Sequence, residues 1–130
     1  MTKINIILFP GICFLFMVCC QPTKPEEKKK QIQKENMAKL EGTWYLNEWD
    51  LYNRIYFQDS IHVALDSHID TMYFYNYELK NDTLFLFDDH GRTITYSIIL
   101  KLTEDSLVFA GLLDKPDIQR YSRIEIKQEK

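Results

Sequence analysis

The stretch Leu40–Leu46, which reads LEGTWYL, marks the point at which the character of the chain changes. An apolar run and then a charged stretch precede it, and neither shows the pattern of a strand. From Gly42 onward, apolar side chains recur at every second position, which is the period of a β-strand with one buried face. We therefore interpret Leu40–Leu46 as the first strand of the only folded domain, against which the later strands must close.

Length, charge and cysteine content bound the possibilities. A chain of 130 residues is too short for two ordinary domains. Its net charge of −3 lacks the basic excess that is typical of nucleic-acid-binding proteins, so no nucleic-acid partner is expected. The cysteines are Cys13, Cys19 and Cys20, all before the tether begins. The domain must therefore be held by its aliphatic and aromatic core, without disulfides.

Residues 1–20 are predicted to be a lipoprotein signal segment. The apolar run Ile4–Val18 is shorter than the ~20 residues that a membrane-spanning helix needs. It ends at Cys19-Cys20 and resembles a bacterial lipoprotein signal, in which a cysteine is lipidated and becomes the new N-terminus. Cys20 is the better match and Cys19 is the alternative; an uncleaved anchor helix is the competing interpretation. No cofactor is expected apart from this covalent lipid, whose acyl chains, such as palmitate, would hold the protein on a membrane.

Residues 21–39 are predicted to be a charged tether that becomes a short helix. Pro22 and Pro25 prevent a helix throughout. Acidic Glu26 and Glu27 then precede a run of lysines, an order that suits the start of a helix. We expect this tether to be solvated. The alternative is an export signal for the outer face, because acidic residues soon after the lipidated cysteine have that role in some Gram-negative lipoproteins.

Residues 40–126 are predicted to form an all-β domain, and residues 127–130 a polar tail. Short polar turns separate runs of alternating apolar residues, and no segment has a helical period. Short strands joined by short turns favour a small eight-stranded antiparallel up-and-down barrel, since closure removes both exposed edges. The predicted strands lie near residues 42–49, 53–58, 60–66, 70–79, 83–88, 92–102, 106–113 and 118–126.

Two of these strands carry strong facial patterns. Between residues 94 and 102, the residues predicted to form the buried face are Ile94, Tyr96, Ile98, Leu100 and Leu102. In the fourth strand, Tyr73, Tyr75 and Tyr77 share one face, although the pattern alone leaves open which face points inward.

The signature residues carry a family resemblance. Gly42-Thr43-Trp44 resembles the Gly-x-Trp signature of the lipocalins, and Tyr121-Ser122-Arg123 resembles their closing arginine. The stretches Tyr77–Leu86 and Leu102–Leu107 look like the small lipocalin-like lipoproteins of Gram-negative bacteria. The resemblance covers roughly residues 37–126. It implies that Gly42, Trp44 and Arg123 are fold residues, with the arginine stacked on the indole.

The interior of an eight-stranded barrel is either filled by side chains or just wide enough for one small ligand. The first possibility predicts a solid aromatic core. The second predicts a cup for a small apolar ligand. The candidate ligand-lining residues are Phe57, Tyr73, Tyr75, Tyr77, Tyr96 and Phe109.

Other chemistry finds little support in the sequence. The histidines, His62, His68 and His90, do not have the spacing of a metal site, and no serine has a recognisable His-acid partner, so neither metal nor catalysis is expected. Trp49 and Tyr52 are candidates for a stacking platform that would bind a sugar or a partner protein.

The sequence thus predicts a non-catalytic lipoprotein of the bacterial cell envelope, anchored by lipid to the outer membrane, with the leaflet left open. Its barrel would bind a small apolar ligand. The alternative is a structural lipoprotein with a filled barrel that docks on another envelope protein.

Overall fold

The computed structural model describes residues 24–67 and 71–127. The predicted signal segment, both candidate lipidation cysteines and His68 lie outside the described residues. Within the described residues, a single helix, α1 (Pro25–Leu40), is followed by eight strands. These are β1 (Gly42–Tyr45), β2 (Arg54–Phe57), β3 (His62–Ser67), β4 (Thr71–Lys80), β5 (Thr83–Phe87), β6 (Thr93–Leu102), β7 (Ser106–Leu112) and β8 (Lys115–Ser122).

The strands form a closed barrel in which each strand pairs antiparallel with its neighbours in the chain. The barrel closes where Tyr45 of β1 lies opposite Ser122 of β8. The predicted eight-stranded antiparallel up-and-down barrel with an N-terminal helix is therefore confirmed. It is also the topology that the lipocalin resemblance implies. We call the end of the barrel that receives α1 the lower end, and the end with loop 46–53 the upper end.

Helix α1 is stabilised mainly by its own sequence. Pro25 occupies its first turn, where a missing N–H is harmless, and acidic residues follow it. Leu40 is its only buried residue. Gln33 fastens the middle of the helix to the barrel by donating a hydrogen bond of 2.7 Å from Nε2 to the carbonyl of Leu79. No helix within the described residues is long and apolar enough to cross a membrane.

The barrel interior is densely filled by large apolar side chains. Antiparallel neighbours share a face of the sheet, so buried Val63 of β3 places Tyr75 of β4 on the inner side. The tyrosine face of β4 therefore points inward. The largest fully buried side chains are Trp44, Ile55, Phe57, Leu65, Leu79, Leu84, Leu86, Leu107, Phe109 and Leu112.

The prediction for β6 was wrong about which face is buried between Ile94 and Leu100. Leu102 is partly buried against the core as predicted, because the register with β7 shifts between Ile99 and Lys101. Ser97 and Ile99 are buried, whereas Ile94, Tyr96, Ile98 and Leu100 are exposed on the outer surface. The register explains the reversal, because Ser97 lies opposite buried Leu84 of β5. The interior already holds bulky residues from the other strands, and a small residue on β6 fits there without overpacking.

Candidate functional site

The lower end of the barrel holds the three signature residues together. Trp44 is completely buried, and its indole Nε1 donates a hydrogen bond of 2.8 Å to the carbonyl of Leu40. The guanidinium carbon of Arg123 lies 3.7 Å from the centre of the Trp44 ring. Gly42 has a φ of +98°, and a Cβ there would lie 3.0 Å from Nη1 of Arg123. A side chain at position 42 would thus crowd the guanidinium group of Arg123.

The middle of the barrel is a packed aromatic core. Phe57 contacts Tyr77 edge-on at 5.1 Å between ring centres, and Phe109 contacts Tyr121 in the same way at 6.1 Å. Both phenylalanines are completely buried. Tyr77 donates a hydrogen bond of 2.8 Å to the carbonyl of Asp59. These contacts make Phe57, Phe109 and Tyr77 members of the core.

Tyr96 does not line the interior. Its side chain is 63% exposed on the outer surface of β6, where its ring lies 6.2 Å from that of Phe85. Its inclusion among the ligand-lining residues was wrong, because it followed from the reversed face of β6.

A cluster of tyrosines covers the upper end of the interior. Tyr52 donates a hydrogen bond of 2.6 Å to Oδ1 of Asp114, and its ring contacts Tyr73 edge-on at 6.3 Å. Burial, followed by the hydrogen bond to Asp114, raises the pKa of Tyr52. Burial raises the pKa of Tyr75 as well, with the charge of Asp114 and nearby Tyr73 adding to the effect. Tyr73 remains 40% exposed, so these rings form a partly open cover over the core.

The sequence suggested that Tyr52 and Trp49 together form a surface platform. Tyr52 takes no part in such a platform. Tyr52 is buried, and its backbone carbonyl accepts a hydrogen bond of 2.8 Å from the hydroxyl of Tyr121. Trp49 is 75% exposed. The hydrogen bonds that Tyr52 makes with Asp114 and Tyr121 hold it against the core, while Trp49 stays at the surface.

A groove of about 380 Å³ lies beside this upper end, on the outer side of the barrel. Its base is a cross-strand row in which Tyr45 of β1 lies opposite Arg54 of β2, and Arg54 lies opposite Asp66 of β3. Loop 46–53 and the chain after β8 form its walls. The remaining lining residues are Asn47, Glu48, Trp49, Asn53, Glu125, Ile126 and Lys127.

The groove combines one large aromatic surface with several polar groups. Arg54 and Asp66 form an ion pair at its base. Asn53 has an Oδ1 atom that is buried and has no hydrogen-bond partner among the described residues. A buried acceptor without a partner is costly, so a rotation of the Asn53 side chain that brought this oxygen to a donor on a bound molecule would relieve that cost. Exposed Trp49 supplies an apolar face beside these groups.

Asn47 holds the C-terminal wall of the groove in place. Its Nδ2 donates hydrogen bonds to the carbonyl of Ile124 at 2.8 Å and to Oγ of Ser122 at 3.1 Å. Its Oδ1 accepts a hydrogen bond of 2.8 Å from the backbone N–H of Ile126. Asn47 has a φ of +60°, a conformation that asparagine tolerates better than most residues.

An ion pair fixes the loop that carries Trp49. Nζ of Lys115 lies 2.6 Å from Oδ2 of Asp50, and this carboxylate holds the pKa of Lys115 above its usual range. Loop 46–53 is thus tied to the start of β8. The groove is therefore largely formed before any ligand binds, which lowers the entropic cost of binding.

Sequence reasoning identified Trp49 but missed the other groove residues. Arg54 and Asp66 are separated in sequence and meet only because β2 and β3 pair in a particular register. The C-terminal wall of the groove, formed by the chain after β8, is held by Asn47. No sequence pattern around Asn47 indicated this role. The described histidines lie elsewhere: His62 contacts Asp59, with 2.6 Å between Nδ1 and Oδ2, and His90 lies in the turn after β5. Within residues 24–67 and 71–127, no group of three potential metal ligands is clustered.

Comparison with known proteins gives one structural likeness. No protein-family model and no curated protein matches the chain. A solved structure of a lipocalin-like protein from Bacteroides uniformis is similar, with a TM-score of 0.44 and 14% sequence identity. The similarity covers 66% of this chain and 99% of that chain.

Proposed function

We propose that this protein is a non-catalytic binding lipoprotein that holds a small ring-shaped ligand in the groove beside the upper end of its barrel. One observation carries the proposal: a preformed groove of about 380 Å³ places exposed Trp49 next to the Arg54–Asp66 pair and the unpartnered oxygen of Asn53. Ligand sites typically combine an apolar surface with a few fixed polar groups, as this groove does.

The groove is a better binding place than the barrel interior. The sequence predicted a small apolar ligand inside the barrel, but Phe57 and Phe109 are completely buried by protein atoms there. Tyr52 and Tyr75 cover the interior from above. A ligand inside would have to displace packed side chains, whereas the groove is already open to solvent.

The groove chemistry favours a ring that carries hydroxyl or amide groups. The flat indole of Trp49 offers a stacking surface for the apolar face of such a ring. Oδ1 of Asn53 and the carboxylate of Asp66 accept hydrogen bonds, and Arg54 donates them. A saccharide or a related cyclic polyol presents this combination, with an apolar ring face and hydroxyls around its edge.

The lipid anchor is part of the same proposal. Lipidation of Cys20 would leave residues 21–23 between the membrane and the first described residue. Intact-mass spectrometry of the protein extracted from membranes tests this step. The acyl mass should be lost in Cys20→Ser and retained in Cys19→Ser; retention of the acyl mass in Cys20→Ser would move the anchor to Cys19. A wild-type protein with the mass of the full chain and no acyl groups would show an uncleaved segment.

Native mass spectrometry of residues 21–130, incubated with an envelope extract and then repurified, tests ligand binding. We expect a reproducible extra mass that is lost on denaturation. Trp49→Ala should remove this mass, and Trp49→Phe should retain part of it. Asn47→Gly, which keeps the positive φ but frees the C-terminal wall, should also weaken binding.

Tyr56→Ala is the matched control, because Tyr56 is an exposed aromatic residue on β2 that does not line the groove. It should leave the extra mass unchanged. Fluorescence titration with a panel of monosaccharides covers weak ligands, since exposed Trp49 should respond while buried Trp44 should not. A bare protein that also gives no response to the panel, or a mass that Trp49→Ala retains, would refute binding in the groove.

A further inference from the structure

The barrel carries a continuous apolar surface on the side of β5–β8. It consists of Phe85, Ile94, Tyr96, Ile98, Leu100 and Ile118, which we call the outer apolar face. The register makes it continuous, because Tyr96 lies opposite Phe85, while Ala110 lies opposite both Ile98 and Ile118. An apolar area of this kind on a water-soluble surface typically marks a binding surface.

The charges on this side of the barrel are basic. Lys101 of β6 and Arg120 of β8 lie on either side of Val108, and both point outward and are exposed. The outward strand positions of β5–β8 carry no aspartate or glutamate, whereas exposed Asp117 lies next to Ile118, and Glu104 and Asp105 are exposed in the turn after β6. On the adjacent strand, Glu78 is already paired with Lys80, with 3.0 Å between Oε2 and Nζ. In a chain of net charge −3, the charged side chains that point outward from these strands among the exposed apolar residues are thus basic.

We propose that the outer apolar face binds an anionic lipid surface. Tyr96 and the aliphatic side chains would enter the headgroup region, while Lys101 and Arg120 would meet the phosphates. Aromatic and aliphatic residues flanked by basic side chains suit this environment, and each basic residue strengthens attraction to anionic lipid.

A second copy of the chain fits this face less well. Packing two outer apolar faces together would bring the basic side chains of both copies into one interface without acidic partners. Another envelope protein, which the sequence left as an alternative, would need an acidic surface complementary to these basic side chains. Nothing in this chain points to such a partner. An anionic bilayer supplies the charge directly.

The geometry of the tether is compatible with this contact but is not required for it. Helix α1 has 16 residues and is therefore about 24 Å long. If Cys20 is lipidated, the barrel cannot be much farther than this from the bilayer. Binding through the barrel face can be measured without the lipid, which separates the two contributions.

The test is co-sedimentation of residues 21–130 with vesicles. This segment includes α1, all eight strands and the buried core, so it contains what the barrel needs to fold. We expect binding to vesicles that contain phosphatidylglycerol, little binding to pure phosphatidylcholine, and weakening by salt. Tyr96→Glu should reduce partitioning by about tenfold or more, as should Lys101→Glu combined with Arg120→Glu.

Tyr56→Glu is the matched control, since Tyr56 is 42% exposed on the outer surface of β2, away from the outer apolar face. It should leave partitioning unchanged, and far-ultraviolet circular dichroism should show all variants folded. Absence of binding by the wild type, or equal loss in both tyrosine variants, would overturn the proposal. A dimer in solution that Tyr96→Glu dissociates would overturn it in favour of a second copy. Trp49→Ala should leave vesicle binding intact, so a failure of the lipid-binding proposal can be distinguished from a failure of the proposed ligand binding in the groove.

Discussion

Replacing Arg123 should destabilise the barrel far more than its partly exposed position suggests. Nη2 donates a hydrogen bond of 2.5 Å to the carbonyl of Lys39, and Nη1 donates one of 3.2 Å to the carbonyl of Thr43. The guanidinium also covers the ring of Trp44 at 3.7 Å. We take about 1 kcal/mol for each partly exposed hydrogen bond and about 1 kcal/mol for the cation–π contact. Arg123→Ala should therefore lower the free energy of unfolding by about 3 kcal/mol.

Arg123→Lys separates charge from geometry. An ammonium group keeps the charge but cannot stack flat on the indole while reaching both carbonyls. We expect it to retain one hydrogen bond, so that its cost is about 2 kcal/mol. Arg120→Ala is the control, because Arg120 is an exposed arginine on β8, three residues before Arg123, and we expect a change of less than about 0.5 kcal/mol.

Urea denaturation followed by tryptophan fluorescence measures these differences. Trp44 is completely buried and Trp49 is 75% exposed, so the spectral shift on unfolding reports mainly the environment of Trp44. For Arg123→Ala, the thermal midpoint should fall by roughly 10–20 °C. If Arg123→Ala is as stable as the wild type, the lower end does not depend on the arginine. If Arg123→Lys matches the wild type, charge alone is sufficient and the stacking argument fails.

Two further predictions concern pH and Gly42. Burial raises the pKa of Tyr77 to about 12 and also raises the pKa of Tyr121, whereas a tyrosine in the unfolded chain has a pKa of about 10. The two buried, neutral tyrosines therefore contribute fully to the free energy of unfolding below about pH 10. This contribution is lost as the pH rises through the folded-state pKa, by up to ~1.4 kcal/mol per pH unit for each tyrosine. The part of the tyrosinate absorbance that Tyr77→Phe or Tyr121→Phe removes should therefore appear together with loss of circular dichroism. Its appearance at about pH 10 in folded protein would contradict the prediction. Gly42→Ala should cost about 2–3 kcal/mol in urea denaturation, because it adds a clash with Arg123 to the strain of a positive φ. Gly91→Ala, at a φ of +75° in open space, should cost only about 1 kcal/mol, and equal costs would exclude the clash.

The sequence alone determined the class and size of the fold. Alternating apolar residues and short polar turns specify eight strands, because both signals are local in the chain. The resemblance of Gly42–Trp44 and Tyr121–Arg123 to lipocalins implied that Trp44 and Arg123 would stack, and in the structure the guanidinium carbon lies 3.7 Å from the centre of the indole ring. The start of α1 was also readable, since Pro25 and the acidic residues after it are local signals.

Only the tertiary structure decided which faces and which distant residues meet. Period-two alternation places Tyr96 with Ile98 but does not say which face is inside; strand register and the limited interior volume put both outside. The groove likewise depends on the pairing of Arg54 with Asp66 and on the hydrogen bonds by which Asn47 holds the chain after β8. These contacts join residues far apart in sequence, and their geometry is set only when the barrel closes. Local propensity fixes the strands, whereas closure of the barrel fixes the surfaces with which this protein can bind.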